Sequence, residues 1–125
     1  MKDICKFCEK IEKDRIILET SEWIAFYDAY PVSKGHVLLV SKEHFNTFFD
    51  LPPRLYDSMM FRIQYIKEIL DNKFHPDGYN IGCNCGEAAG QTINHFHLHI
   101  IPRYKGDCEN PRGGVRGVIP SKQNY

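Results

Sequence analysis

Apolar and polar positions recur with two different periods along this chain, and the switches between them mark its elements. "RIILET" (15–20) and "EWIAFYDAY" (22–30) are dense in β-branched and aromatic residues, with polar "TS" between them. They predict two short strands joined as a hairpin. "PVSKG" brackets a polar stretch with Pro and Gly, which is turn chemistry, and leads into a third strand over 36–41. From 53 to 72 the period changes. Leu55, Met59, Ile63, Ile66 and Leu70 follow at steps of 4, 4, 3 and 4, so a helix carries them all on one face. Pro52 and Pro53 suit its first turn, where a missing amide donor costs nothing, and "HPDG" (75–78) ends it. "YNIGCN" (79–84) predicts a fourth strand and "HFHLHII" (95–101) a fifth, with the small-residue loop "CGEAAGQT" between them. The tail from 106 to 125 is punctuated by Gly and Pro and shows neither period, which predicts extended, partly mobile chain. The order β-β-β-α-β-β predicts an α+β fold: a mostly antiparallel five-stranded sheet with one long helix packed on it.

Composition narrows the partners. The 125 residues suffice for one domain whose core needs neither disulfides nor metal. Sixteen basic residues balance sixteen acidic ones, so there is no electrostatic case for long nucleic acid or a membrane surface. A small anionic ligand, which needs only a few donors in one pocket, stays open. "MKDICKFCEK" has no apolar run of signal-peptide length, and the expected compartment is the cytoplasm. There the five cysteines (5, 8, 83, 85 and 108) are expected as thiols or metal ligands.

The fifth strand holds the chemistry. Three of the chain's six histidines, His95, His97 and His99, alternate with Phe96, Leu98 and Ile100. On a strand the two sets point to opposite faces, the apolar set into the core and the imidazoles outward. Same-face neighbours lie about 6.5 to 7 Å apart, which suits separate tasks along an extended substrate better than ligation of one metal. Gln91 and Thr92 add hydrogen-bonding groups, Gly86 and Gly90 permit close backbone approach, and His36 follows the turn glycine Gly35. A neutral imidazole beside donor-rich loops is the equipment for displacement at phosphorus.

"GQTINHFHLHIIPRY" resembles the signature of the histidine-triad nucleotide hydrolases and transferases, His-φ-His-φ-His-φ-φ with φ apolar. "AFYDAYPVSKGHVLLVSKEH" and "YNIGCNCGEAAGQT" are similar to the segments preceding that family's helix and its triad, and the resemblance spans roughly residues 5–105. It implies a single domain over 1–125 with its core in 5–105. It also implies a nucleotidyl-histidine mechanism at the α-phosphorus of adenine or other purine nucleotides, such as dinucleoside polyphosphates or nucleoside phosphoramidates. Carried over residue by residue, His97 is the nucleophile, and His99 binds the phosphate and helps the departing group. His36 and His95 shape the site, Gln91 and backbone amides hold phosphate oxygens, and Asn84 lies near the phosphate. Asp28 would accept the ribose hydroxyls, while Phe26, Leu38 and Phe7 line the base pocket; strand-end turn and plain core packing are the alternatives for these four. "GQT" and "IPRY" look more like the dinucleoside-polyphosphate-cleaving members, because the phosphoramidase branch more often has Ser after the Gln.

"CKFC" sets Cys5 and Cys8 in a C-x-x-C pair, which by itself fits a redox motif, half a zinc site or coincidence. Bacterial-type members of the family complete such a pair with two histidines, here His44 and His95, to make a structural Cys2His2 zinc site. No catalytic cofactor is implied. The resemblance also implies a homodimer, for which an apolar helix stripe including Tyr56 and Met60 would serve. His75 reads as an exposed turn residue. "PRGGVRGVIP", with Arg112 and Arg116, is similar to family tails that tune substrate choice, and a solvated tail is the alternative. Two readings from other classes remain. One is a nucleotide-binding regulatory module with slow turnover; the other is a zinc-knuckle interaction protein, which leaves His36, His97, His99, Asp28 and Gln91 without a task.

Overall fold

The structure, a computed structural model, describes residues 5–125; the first four, part of the stretch read as lacking a leader, lie outside the described residues. The elements are β1 (Ile16–Glu19), β2 (Trp23–Tyr27), β3 (Val37–Ser41), α1 (Pro53–Phe74), β4 (Gly78–Gly82) and β5 (His97–Arg103). The five strands form one sheet in the order β1-β2-β3-β5-β4, every pair antiparallel. The predicted α+β architecture is the observed one.

Alternation along each strand divides the sheet's side chains between two clusters. Trp23, Ala25, Val37, Leu39, Leu98 and Ile100 face α1, which brings Leu55, Met59, Ile66 and Leu70 onto them. Ile24, Phe26, Leu38 and Val40 face the other way and meet Phe7, Ile11 and Ile16 from the N-terminal segment. The β1 register shifts between Ile16 and Leu18. That bulge lets Ile16 join the second cluster while Ile17 and Leu18 both join the first.

Proline and backbone geometry set the ends of α1. Pro52 caps it in an extended conformation, and His75 closes it in the left-handed region (φ 53°), its N–H donating to the Asp71 carbonyl. His75 is exposed there, as expected. Trp23 Nε1 donates to Ser58 Oγ at 2.8 Å, pinning the helix to the sheet where the indole is fully buried.

Three expectations shift. His36 and His95 sit just outside β3 and β5, because turns on either side bend the chain before the ladder begins. Tyr56 turns inward and donates its hydroxyl to the Phe48 carbonyl, while Met60, Phe61 and Tyr65 are the exposed apolar residues of α1. The tail is not extended chain. Short 3-10 turns at Gly114–Val118 and Pro120–Lys122 fold it back along β4, and the Arg112 and Arg116 guanidinium groups lie 5.0 and 4.7 Å from the Tyr125 ring centre.

Candidate active site

Placing β5 between β3 and β4 puts His97 opposite Val40 and His99 opposite Leu38 on the face away from α1. There they open into a cleft of about 540 Å³ that also includes Phe7, Phe26, Asp28, Leu38, Asn84, Gly90 and Thr92. Phe26 is fully buried as part of the floor, with the Phe7 ring 5.8 Å away and the Arg15 guanidinium 5.3 Å from its ring. Lys6, Ile11, Arg15 and Tyr30 join the rim, none of them legible from the sequence pattern. "EKIEKDR" has no period, and only its fold across the second face brings Ile11 and Arg15 to the cleft.

The hydrogen bonds determine which nitrogen of each imidazole carries a proton. His97 Nδ1 lies 2.8 Å from its neighbour His95's carbonyl, which only accepts, so Nδ1 is protonated and Nε2 keeps the lone pair. Val32 N–H donates to His36 Nδ1 at 3.1 Å, so the proton of neutral His36 is on Nε2. That Nε2 donates to His99 Nδ1 at 2.9 Å, which leaves the His99 proton on its own Nε2. The chain Val32, His36, His99 thus ends in an N–H donor, while His97 presents a base. Burial above all, then the charges of His36 and His97, pushes the His99 pKa down to about 4. Burial likewise lowers His36, against the opposing pull of Asp28, whose Oδ2 is 3.6 Å from its Nε2. Burial thus favours the neutral form of both His36 and His99. Asp28, His36 and His99 lie close enough to share a cation, yet His36 and His99 already share a hydrogen bond and supply a relay instead.

Asp28 receives Tyr30 N–H on Oδ1 and lines the cleft. Asn84 borders both the cleft and a groove of about 380 Å³ between β4 and the folded tail, a groove that also reaches His99, Val115 and Val118. Gln91 departs from expectation. Both hydrogens of its amide are committed, to the Asn46 carbonyl at 2.6 Å and the Ile93 carbonyl at 3.0 Å, and its oxygen accepts from Gly86 N–H. The side chain is buried under the loop and braces it, with no donor left for a phosphate oxygen.

A second cluster stands beside the cleft. Sγ of Cys5 and Cys8 and Nδ1 of His44 and His95 lie within 4.8 Å of one another. The sulfur–nitrogen contacts are 3.2 to 3.5 Å, close to the roughly 3.5 Å edge of a tetrahedron built on ordinary zinc–sulfur and zinc–nitrogen bonds. His95 Nε2 donates to the Ser41 carbonyl and His44 Nε2 to Asn46 Oδ1, so both rings turn an Nδ1 lone pair inward. Burial holds the His95 pKa below its ordinary value, keeping it in the neutral form a metal requires. The donor set fits a divalent metal. Cys83, Cys85 and Cys108 stand apart from it as free thiols.

Comparison with known proteins agrees with this geometry. The HIT domain matches residues 9–106. An uncharacterized HIT-like protein of Methanocaldococcus jannaschii is 39% identical over 121 residues, covering 92% of each chain. A bis(5'-adenosyl)-triphosphatase of Dictyostelium discoideum is 34% identical over 100 residues, covering 80% of this chain and 67% of its own. The crystal structure of a Zn-bound histidine triad family protein from Mycobacterium smegmatis superposes with a TM-score of 0.68 at 36% identity, over 74% of this chain and 67% of that one. With a match that runs from the N-terminal segment through the last strand, and three alternating histidines at its end, this chain belongs to the HIT, or histidine-triad, family.

Proposed function

We propose that the protein is a nucleotide hydrolase or transferase that cleaves at the α-phosphorus of purine nucleotides. The observation that carries this reading is the opposed tautomers of His97 and His99: a lone pair and an N–H donor side by side on one face, ring centres 5.4 Å apart. His97 Nε2 attacks phosphorus, and a phosphorus–nitrogen bond forms as the bond to the departing group breaks. The departing group leaves with that electron pair, its developing charge met by a hydrogen bond from His99 Nε2–H, and takes its proton from solvent. Water then attacks the phosphorus of the nucleotidyl-histidine, and the phosphorus–nitrogen bond breaks with its pair returning to His97 Nε2. The proton lost by the water passes to solvent, and the nucleoside monophosphate is released. His36 is a positioning residue that fixes the His99 tautomer. Asn84 and Thr92, which line the cleft, supply donors to the phosphate oxygens as negative charge builds there.

Phe7, Phe26 and Leu38 offer the base an apolar slot, and Asp28 has lone pairs for the ribose hydroxyls. The groove against Val115 and Val118 is where the departing group would lie, because it meets the cleft at Asn84 and His99. Among the described residues no Lys or Arg lines it, so it favours a neutral or apolar group over a polyphosphate. Zinc is the metal that the Cys2His2 set fits, with no coordination position left for substrate. A homodimer is part of the same reading, and exposed Met60, Phe61 and Tyr65 on α1 give it apolar surface. No helix among the described residues is long and apolar enough to cross a membrane.

The experiment is release of AMP from diadenosine triphosphate and from adenosine 5'-phosphoramidate, wild type beside His97→Ala. The wild type should turn over at least one and His97→Ala neither. If both bind AMP and neither turns over, the protein is a nucleotide-binding module and the mechanism above is wrong.

A further inference from the structure

The metal cluster and the cleft meet in two places. Phe7 lies between the two cysteine ligands, so a metal that fixes Cys5 and Cys8 fixes the chain on both sides of it. Its ring stands 5.0 Å from the His97 ring and 5.8 Å from Phe26, over the apolar side of the cleft. The second place is His95. Its Nδ1 faces the thiols while its carbonyl, two residues from His97, holds His97 Nδ1–H. Without a metal, what holds the Cys5–Cys8 turn among the described residues is the bond from Cys8 N–H to the Cys5 carbonyl, and weak thiol contacts. That is little to order a wall of the cleft against the conformational entropy of the segment.

We infer that the Cys5/Cys8/His44/His95 centre is a positioning element of the nucleotide site, through Phe7 and the His95 main chain, so that metal and nucleotide bind cooperatively. The inference rests on the cleft being a nucleotide site. Its physical basis is linkage. A metal that orders Phe7 removes an ordering cost from nucleotide binding, and by the same factor nucleotide tightens the metal.

The test measures AMP binding by calorimetry to zinc-loaded and chelator-stripped protein. Zinc affinity is then measured by competition with a chromogenic chelator, with and without saturating AMP. Stripping should weaken AMP by about tenfold or more, and AMP should tighten zinc by the same factor. Near-ultraviolet circular dichroism of the single Trp23 reports whether the stripped protein keeps its core. Phe7→Ala, studied zinc-loaded, decides the matter even if stripping disturbs that core. Its zinc affinity without nucleotide should stay near wild type, its AMP affinity should fall, and the effect of AMP on zinc should shrink to the part carried by the His95 main chain. Phe7→Tyr should restore both. Equal AMP affinity with and without zinc in a folded protein, or full coupling in Phe7→Ala, overturns the inference. Failure of zinc-loaded wild type to bind AMP overturns the nucleotide reading together with it.

Discussion

Acidification should destabilise this protein through His99, and the size of the effect follows from its surroundings. An unfolded His99 takes up its proton near pH 6.5, whereas the folded one does so only near pH 4, held down first by burial and then by His36 and His97. Between those values the unfolded chain binds a proton that the native one refuses, so stability is fully present above pH 6.5 and falls as pH drops toward 4. At about 1.4 kcal/mol per pH unit, the part lost between pH 7 and pH 5 is about 2 kcal/mol, reduced to about 1 kcal/mol by the water that reaches this partly buried ring. Urea unfolding at pH 7 and pH 5 in excess zinc measures it. His99→Gln keeps a hydrogen-bond acceptor for His36 but cannot titrate, so it should lose about 1 kcal/mol less than wild type over the same interval. Acid-sensitive groups that do not touch His99 contribute equally to both proteins and cancel in the difference. Equal losses would refute the claim that His99 is held neutral by its site.

Two further outcomes test the scaffold. Gly35 has φ +88°, and a Cβ there would stand 2.8 Å from the Phe74 ring. Gly35→Ala should cost about 2 kcal/mol in urea unfolding, from the left-handed backbone and the displaced ring together, and a loss under about 0.5 kcal/mol would count against both. Gln91→Ala removes a brace that ties Gly86, Ile93 and Asn46, so it should cost about 2 to 3 kcal/mol and lower kcat by loosening the loop. Unchanged stability with altered KM alone would mean instead that Gln91 reaches the nucleotide directly.

Where residues pack by period, the sequence made the fold legible. The helix face from Leu55 to Leu70 and the alternation of Phe96, Leu98 and Ile100 with the histidines are local geometry, and the structure places those residues as their spacing implies. The tail shows the complementary case. Gly113, Gly114 and Gly117 carry no period; Gly113 and Gly117 pack against Gln123 of the same tail, and Gly114 lies against Asn80 of β4, far away in the chain. By type and place Gln91 suits a phosphate, but its partners come from residues 46, 86 and 93, and only the folded loop assembles them.

What this chain determined by itself was which side chains share a face, because periods of 2 and 3.6 are properties of the backbone alone. That was enough to collect His97 and His99 on one side and the core on the other. Only the tertiary structure decided which nitrogen each imidazole turns to the cleft or to the thiols. The His95 carbonyl, Val32 N–H and the Ser41 carbonyl make those choices, and their approach depends on how β3, β5 and the intervening turns come together. An imidazole's protonation pattern is set by its nearest donor or acceptor, a contact of about 3 Å that no spacing in the sequence encodes.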